Sequence, residues 1–552
     1  MSGFLQTPPR LPDAWSSDRT LREALEFHLG DAFEVARPFF EEMGRVSTDP
    51  ATLALGARAE REPPVHVPYS AFGERIDEIR VSDAYVELGR IGVEAGVTAL
   101  PYEDSPFGDK ARLVWAGVIS QWSPSSALYS CPIAMTDAAA RTLIDHGGEA
   151  ERPLVERLTT RDPERAWTSG QWMTETTGGS DISRTETIAK QDGDMWRLFG
   201  TKWFTSATTS EMALTLARPE GSSEGSRALV MFRVQRLLDD GTRNAIVVRR
   251  LKDKLGTRTV PTAELELQGA IAHPIGDPAE GGGVRKIATM LNITRIHNAI
   301  GSVGSLARGL AWARAYAQVR EAFGVPLHTL PAHRATLTEL AVDHAAALAL
   351  LLRCCELTGK AEHASADGHE LVLLRGLTPV LKLATARWAV AGAAEAMEAI
   401  GGVGYCEDST LPALVRNTHV QTIWEGTTNV LSLDLIRAAE REGAVDAVFN
   451  EVEQIAERAT HPAVAETGSA VKRALGELRD RWARLRQGSD EHSSARSFAL
   501  GVATTFACAQ LCEQGAWAAE RGDGRTANVA QRLAVRGLVP PPGPADLDLA
   551  MG

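Results

Sequence analysis

The sequence predicts a mainly α-helical protein with one β domain set in its middle. Three observations predict it. Up to about Arg165, apolar residues recur at three- and four-residue steps. From Trp167 the period shortens to two, in short β-rich runs punctuated by Gly, Asp and Ser. After Gly281-Gly282-Gly283 the helical period returns and holds almost to the end. At 552 residues, 44% of them hydrophobic, the chain is too long for a single core. Four segments are expected: 1–166 helical, 167–280 β, 281–440 a helical bundle, and 441–552 additional helices.

In order along the chain, the Pro-rich stretch before Ser16 reads as an irregular arm. Leu21 to Met43, Val81 to Gly96 and Ser126 to His146 carry helical periodicity, with Pro63-Pro64 and Pro101 to Pro106 as loops between. Five β-rich runs follow: Trp196 to Phe204, Met212 to Leu216, Ala228 to Val234, Ala245 to Val248 and Ala263 to Leu267. Five in about a hundred residues, broken by Asp192-Gly193-Asp194 and Gly221 to Gly225, predict a compact antiparallel domain. Lys286 to Val319, Leu330 to Thr358, His369 to Ile400 and Thr428 to Glu442 are the long helices. More helices are expected from about Ala444 to Ala530, then a tail, Val539 to Pro544, that is disordered or pinned to a surface.

Composition excludes several classes. A net charge of -13 argues against a surface built throughout for phosphate backbones. From Arg441 to Gly552 there are 13 Lys and Arg against 15 Asp and Glu, a net of -2. A domain dedicated to duplex DNA should be clearly basic. Only Lys472, Arg473, Arg479, Arg481, Arg484 and Arg486 form a basic stretch, and a solvated helix face accounts for it more simply. The six cysteines lack C-x-x-C spacing and read as buried thiols of a reducing compartment. Met1 to Arg10 has no secretion-signal blocks, and no apolar run is long enough to span a bilayer, so a cytoplasmic protein is expected. No metal is expected, since His363 and His369 read as a polar turn. A dinucleotide fold is not supported either, because Gly401-Gly402-Val403-Gly404 follows a helix rather than a strand.

Two segments carry chemistry. In Met173-Thr174-Glu175-Thr176-Thr177-Gly178-Gly179-Ser180-Asp181, two glycines beside hydroxyls expose N–H donors just before the β domain. Such a turn suits a flavin edge or a pyrophosphate, and equally an ordinary strand-capping turn. In Ile423-Trp424-Glu425-Gly426-Thr427-Thr428-Asn429 a carboxylate sits between an indole and a glycine, just ahead of a helix. An apolar wall would raise its pKa toward that of a working base. By spacing alone, a helix-start carboxylate facing the macrodipole accounts for it better.

Together the two segments resemble the acyl-CoA dehydrogenase family, whose members carry M-T-E-P-x-A-G-S-D and Y-E-G-T. Trp203-Phe204-Thr205 resembles the family's W-I-T, Arg320-Glu-Ala-Phe-Gly324 its R-x-x-F-G, and Gly401 to Tyr405 its G-G-x-G-[YF]. Arg250-Leu-Lys-Asp-Lys-Leu-Gly256, Gly404-Tyr-Cys-Glu-Asp-Ser409 and the I-W-E-G variant resemble the AidB-like branch. The resemblance implies a helical N-terminal domain, a β-barrel or sandwich domain, a four-helix bundle and an extra C-terminal helical domain. It implies FAD, lined by Met173, Thr174, Gly179, Ser180, Trp203, Thr205 and Ser206 on one side and by Ile423, Trp424, Gly426, Thr428 and Asn429 on the other. Arg320, Phe323, Gly401 and Gly402 would reach FAD of a neighbouring subunit in a homotetramer, a dimer of dimers. Pro331 departs from the Gln of many relatives. The implied reaction is α,β-dehydrogenation of an acyl-CoA, with Glu425 as base and an electron-transfer flavoprotein as acceptor. The branch also implies two lesser readings: DNA binding in an alkylation response, and sequestration of acyl chains.

Overall fold

The computed structural model describes residues 7–487, 493–541 and 550–551. It divides into two compact units: Met1–Thr48 with Ser105–Pro124 and Asn298–Gly552, and Asp49–Asp104 with Ser125–His297. The N-terminal segment is therefore shared between them.

The second unit holds the β structure. A hairpin of β1 (Val65–Tyr69) and β2 (Arg75–Arg80) lies in the segment read as helical. Val65-His-Val-Pro-Tyr69 does alternate, but over five residues only, and the charge-rich Arg75–Arg80 does not carry the pattern on. The main sheet has seven strands: β3 (Ser169–Trp172), β4 (Ile188–Asp192), β5 (Met195–Ser206), β6 (Met212–Pro219), β7 (Val230–Gln235), β8 (Ile246–Leu251) and β9 (Thr262–Pro274). The five expected runs are β5 to β9; β3 and β4 are additions. Strand order is β3-β6-β4-β5-β9-β7 with β8 on β9, and the β6–β7 pairing closes the path into a small barrel. The sheet is not wholly antiparallel, because β3 and β4 each pair with β6 in parallel. Alternating inward residues such as Leu198, Ala213, Phe232, Leu265 and Ala272 fill the barrel. A second core joins the outer face of β6 to the helices Ser130–His146 and Gly283–Val319 through Ala139, Leu143, Leu214, Leu216, Ile287 and Met290.

Within the first unit the helices Pro331–Glu362, Gly368–Ile400 and Thr428–Glu442 pack in sequence. Their bounds follow local signals. Pro331 opens one helix at its first turn, and an Asp367/Glu370 capping box opens the next. Gly443, at φ +72°, closes the third. Of four further helices, Ala444–Arg458, Ala495–Ala519 and Arg525–Arg536 pack on this bundle, and Ala465–Arg486 packs on those three. The expected helix from Leu21 to Met43 is broken at Gly30 (φ +54°) into Arg19–Leu29 and Phe33–Thr48. Of the proline tail, Pro540 is held by Arg481 Nη1 at 2.5 Å, while Pro542 to Pro544 lie outside the described residues. Among the described residues no helix is long and apolar enough to cross a membrane.

Candidate functional site

Each unit carries one set of the candidate residues. In the β unit, Trp172 is buried at the end of β3, and the chain turns at Glu175 to Gly178, which bond to each other at 3.2 and 3.3 Å. That turn leaves Gly179 and Ser180 exposed, with Met173 buried and Thr174 packed under Gly179. Thr174 accepts from the Trp203 N–H at 2.9 Å, tying the turn to β5. Between Lys202 and Thr205 the register of β5 against β9 slips, so Trp203 and Phe204 leave the ladder and stand partly exposed. Thr205 is buried, its hydroxyl donating to Ala263 at 2.7 Å, and Ser206 meets Thr262 at 3.1 Å. An exposed Gly-Ser turn, with the aromatic bulge and buried threonine of the strand tied to it, would fit the edge of a flavin.

Sequence reading missed what lies beneath. Glu175 is almost wholly buried and accepts from Glu186 N and Thr187 Oγ1, both at 2.6 Å. Lys202, fully buried, donates to Glu175 at 2.6 Å and to the Leu216 carbonyl at 2.8 Å. Burial pushes the Lys202 ammonium down and Glu175 pulls it back only in part. A lysine at an inward-facing strand position, one residue before Trp203, was the available signal. Lys252 sits 3.5 Å from the centroid of the Trp203 ring and pairs with Glu264 at 2.6 Å. Lys254 donates to Thr262 at 2.9 Å, and burial pulls it down to about 8.

In the helical unit, the base candidate does not sit in the first helical turn. Thr427 is the N-cap of Thr428–Glu442, without a side-chain cap, and Glu425 precedes it by two residues. Glu425 has φ +58° and Gly426 φ +103°. Lys382, buried in the helix Gly368–Ile400, donates to the Gly426 carbonyl at 2.6 Å. Trp424 Nε1 donates to Gln421 Oε1 at 3.0 Å, and Asn298 Nδ2 to the Gln421 carbonyl at 3.2 Å. Ile423 is exposed, Thr428 buried, and Asn429 accepts from Arg496 at 3.5 Å. Lys382, flanked by Leu381 and Leu383, was legible as an oddity but had no assignable partner.

The Arg320 segment is a two-residue hairpin, Glu321–Ala322 against Val325–Pro326. Phe323 and Gly324 at its tip both have positive φ, as such a turn requires. Phe323 is 96% exposed. Gly401 closes Gly368–Ile400 with φ +78°, and around Gly401 and Gly402 there is open space where a side chain would stand. Among the described residues no cluster of three metal-ligating groups occurs.

A closed β barrel carrying the M-T-E turn, with a helical bundle carrying the W-E-G-T segment, defines a class, and this chain belongs to the acyl-CoA dehydrogenase family. Residues 281–440 match the family's C-terminal domain and 170–270 its middle domain, while 6–164 match the N-terminal domain of adaptive response protein AidB. The chain is 42% identical over 468 residues to acyl-CoA dehydrogenase family member 11 of Caenorhabditis elegans, covering 82% of this chain and 75% of that protein. It is 34% identical over 424 residues to the putative acyl-CoA dehydrogenase AidB of Escherichia coli (strain K12), covering 75% and 76%. Its fold matches the crystal structure of C. elegans ACDH-11 in complex with C11-CoA with a TM-score of 0.94 and 37% identity. That match covers 98% of this chain and 93% of the other.

Proposed function

We propose that the protein is an FAD-dependent oxidoreductase that removes the α and β hydrogens of an acyl-CoA thioester, with Glu425 as the base. The observation that carries this reading is the backbone at Glu425, held at φ +58° outside the helix that follows it. A carboxylate serving only a helix dipole would sit in the first turn, where no such strain is needed.

Met173, Thr174, Gly179, Ser180, Trp203, Thr205 and Ser206 would hold the flavin ring from the β unit's residues, and Ile423, Trp424, Gly426, Thr428 and Asn429 from the bundle's. Bound FAD supplies the acceptor for the hydride. The rest belongs to this chain. The Glu425 backbone N–H polarises the thioester carbonyl, which acidifies the α-carbon. The Glu425 carboxylate takes the α-proton as the β-hydrogen departs with its electron pair, leaving the α,β double bond. Electrons then pass to an electron-transfer flavoprotein, in the cytoplasm. Arg320, Phe323, Gly401 and Gly402 are proposed to serve the FAD of a neighbouring subunit in a homotetramer. The near-complete exposure of Phe323 supports that.

A DNA-binding reading finds less support. Arg479 is bound to Glu453 at 2.8 and 2.9 Å, and Arg481 to Glu477, so two cations of the basic stretch are already committed.

Anaerobic bleaching of the flavin across an acyl-CoA panel tests the proposal. Glu425→Gln should retain FAD and lose roughly two to four orders of magnitude in turnover. Undiminished turnover in the variant would remove Glu425 from the role, and a wild-type preparation that takes up no FAD would remove the reading altogether.

A further inference from the structure

The helical unit contains a cavity of about 690 Å³ that no sequence motif announces. That is the size of a ligand site, and it follows one face of the helix Gly283–Val319. The same helix is tied to the base segment one turn earlier. Asn298 donates to Gln421, and Gly301 approaches it so closely that a β-carbon would stand 2.8 Å from Gln421 Nε2. Gln421 in turn accepts from the Trp424 indole. The cavity begins at Val303 and Gly304 and continues past Ala307, Ala311 and Ala315 to Gln318. At 1.5 Å per residue this is roughly 22 Å of helix. Spaced three or four apart, these small residues leave a smooth face along which an unbranched chain can lie.

The walls are mostly apolar, but the charges on them are one-sided. Among the described lining residues, Arg308 and Arg314 come from the helix itself and Arg10 from the N-terminal arm, against the one carboxylate of Asp18. Asp18 is shared, accepting from Leu21 N at 3.0 Å and facing His344 at 3.4 Å, so its charge offsets Arg314 only in part. Arg308 is only 8% exposed and reaches the Ser47 carbonyl at 3.4 Å. Burial pulls it down to about 10 and holds Arg314 below its ordinary value. A methyl-ended chain filling this space would leave the excess positive charge in place and desolvate it further. A carboxylate at the chain's far end would offset it through charge-assisted, bidentate bonds to guanidinium.

We infer that the cavity receives the distal part of the substrate as an unbranched apolar chain ending in a carboxylate, read by Arg308 and Arg314. The preferred substrates are then monothioesters of linear dicarboxylic acids. This rests on the acyl-CoA reading above and narrows it.

The test compares dodecanedioyl-CoA with dodecanoyl-CoA on the FAD-loaded enzyme, by kcat/KM in anaerobic flavin reduction and by calorimetric Kd. The wild type should favour the dicarboxylic thioester by roughly tenfold or more, the worth of a hydrogen-bonded charge. In Arg314→Met and Arg308→Met that ratio should fall toward one. Arg314, half-buried on the cavity wall, serves should the Arg308 variant fail to fold. A wild-type ratio at or below one, or an unchanged ratio in the variants, overturns the inference while leaving the dehydrogenase intact. If neither thioester reduces the flavin, the dehydrogenase reading fails, and the calorimetric ratio still decides the inference by the same criterion.

Discussion

Replacing Lys202 by Met should be the most damaging single change in the β unit outside its apolar core. The ammonium is fully buried, 2.6 Å from a Glu175 oxygen that is itself almost without solvent. At that distance the attraction is about 6 kcal/mol for an effective dielectric near 20. Much of it is spent against desolvation, which is why burial leaves Lys202 below its ordinary pKa despite its partner. Removing one member forfeits the attraction but leaves the other buried, which costs on the order of 3–5 kcal/mol. Glu175 would keep its bonds from Glu186 N and Thr187, placing the loss toward the lower end. The turn from Met173 to Ser180 rests on Glu175, so flavin retention should fall along with stability. Urea unfolding followed by circular dichroism, with the flavin-to-protein ratio of the purified variant, reads both effects. In a double-mutant cycle with Glu175→Met, the losses should be strongly non-additive, with a coupling of about 2 kcal/mol or more. A Lys202→Met unfolding free energy within about 1 kcal/mol of wild type, or additive losses, would refute the argument.

Two further outcomes follow from burial in the helical unit. Glu356 is opposed by its own burial, but the hydrogen bonds from His28 and Arg353 outweigh it and bring the carboxyl down to about 2. Its stabilisation, on the order of 3 kcal/mol, is complete above the unfolded value near 4.5 and is lost as pH falls toward 2. Glu356→Gln should therefore flatten the acid limb of the stability curve, and an unchanged limb would count against the pairing. Gly359 tests sign rather than size, because alanine is the better helix former by about 1 kcal/mol. A β-carbon there would collide with the Asp109 carbonyl, so Gly359→Ala should destabilise by about 1–3 kcal/mol in thermal unfolding. Stabilisation would show that the Asp109 loop yields.

Where local pattern and tertiary packing agree, the sequence was readable. The helix Thr428–Glu442 has the bounds expected of it, because Gly426 and Gly443 both sit at positive φ on either side. The five β-rich runs became strands since their alternation matches a barrel wall packed on one face. β3 was missed for the opposite reason: four residues, Ser-Gly-Gln-Trp, hold no period, and only the parallel partner β6 makes them a strand. The same limit separates the two halves of the site. The M-T-E turn and the W-E-G segment can be read locally, since each is a string of unusual neighbours. Lys202, Lys382 and Gln421 could not be, because their roles come from partners 27, 44 and 123 residues away.

Those distant partners also bear on the choice that spacing left open at Glu425. A helix-start carboxylate needs only a helix and would relax into the first turn if free to do so. Here the segment is fixed from both sides. Lys382 grips the carbonyl after Glu425, and Gln421 grips the indole before it while being held by Asn298. A non-glycine residue in the left-handed region costs on the order of 1–3 kcal/mol, and persists only where its surroundings over-determine it. A fully buried lysine, itself expensive, is one such determinant. Two costly features converging on one short segment are hard to reconcile with a capping role that an exposed residue could fill. They are what proton abstraction needs, since a base on a mobile loop loses the proximity that makes the step unimolecular. The proposal that Glu425 is the base therefore draws support from the backbone that holds it, as well as from the motif in which it stands.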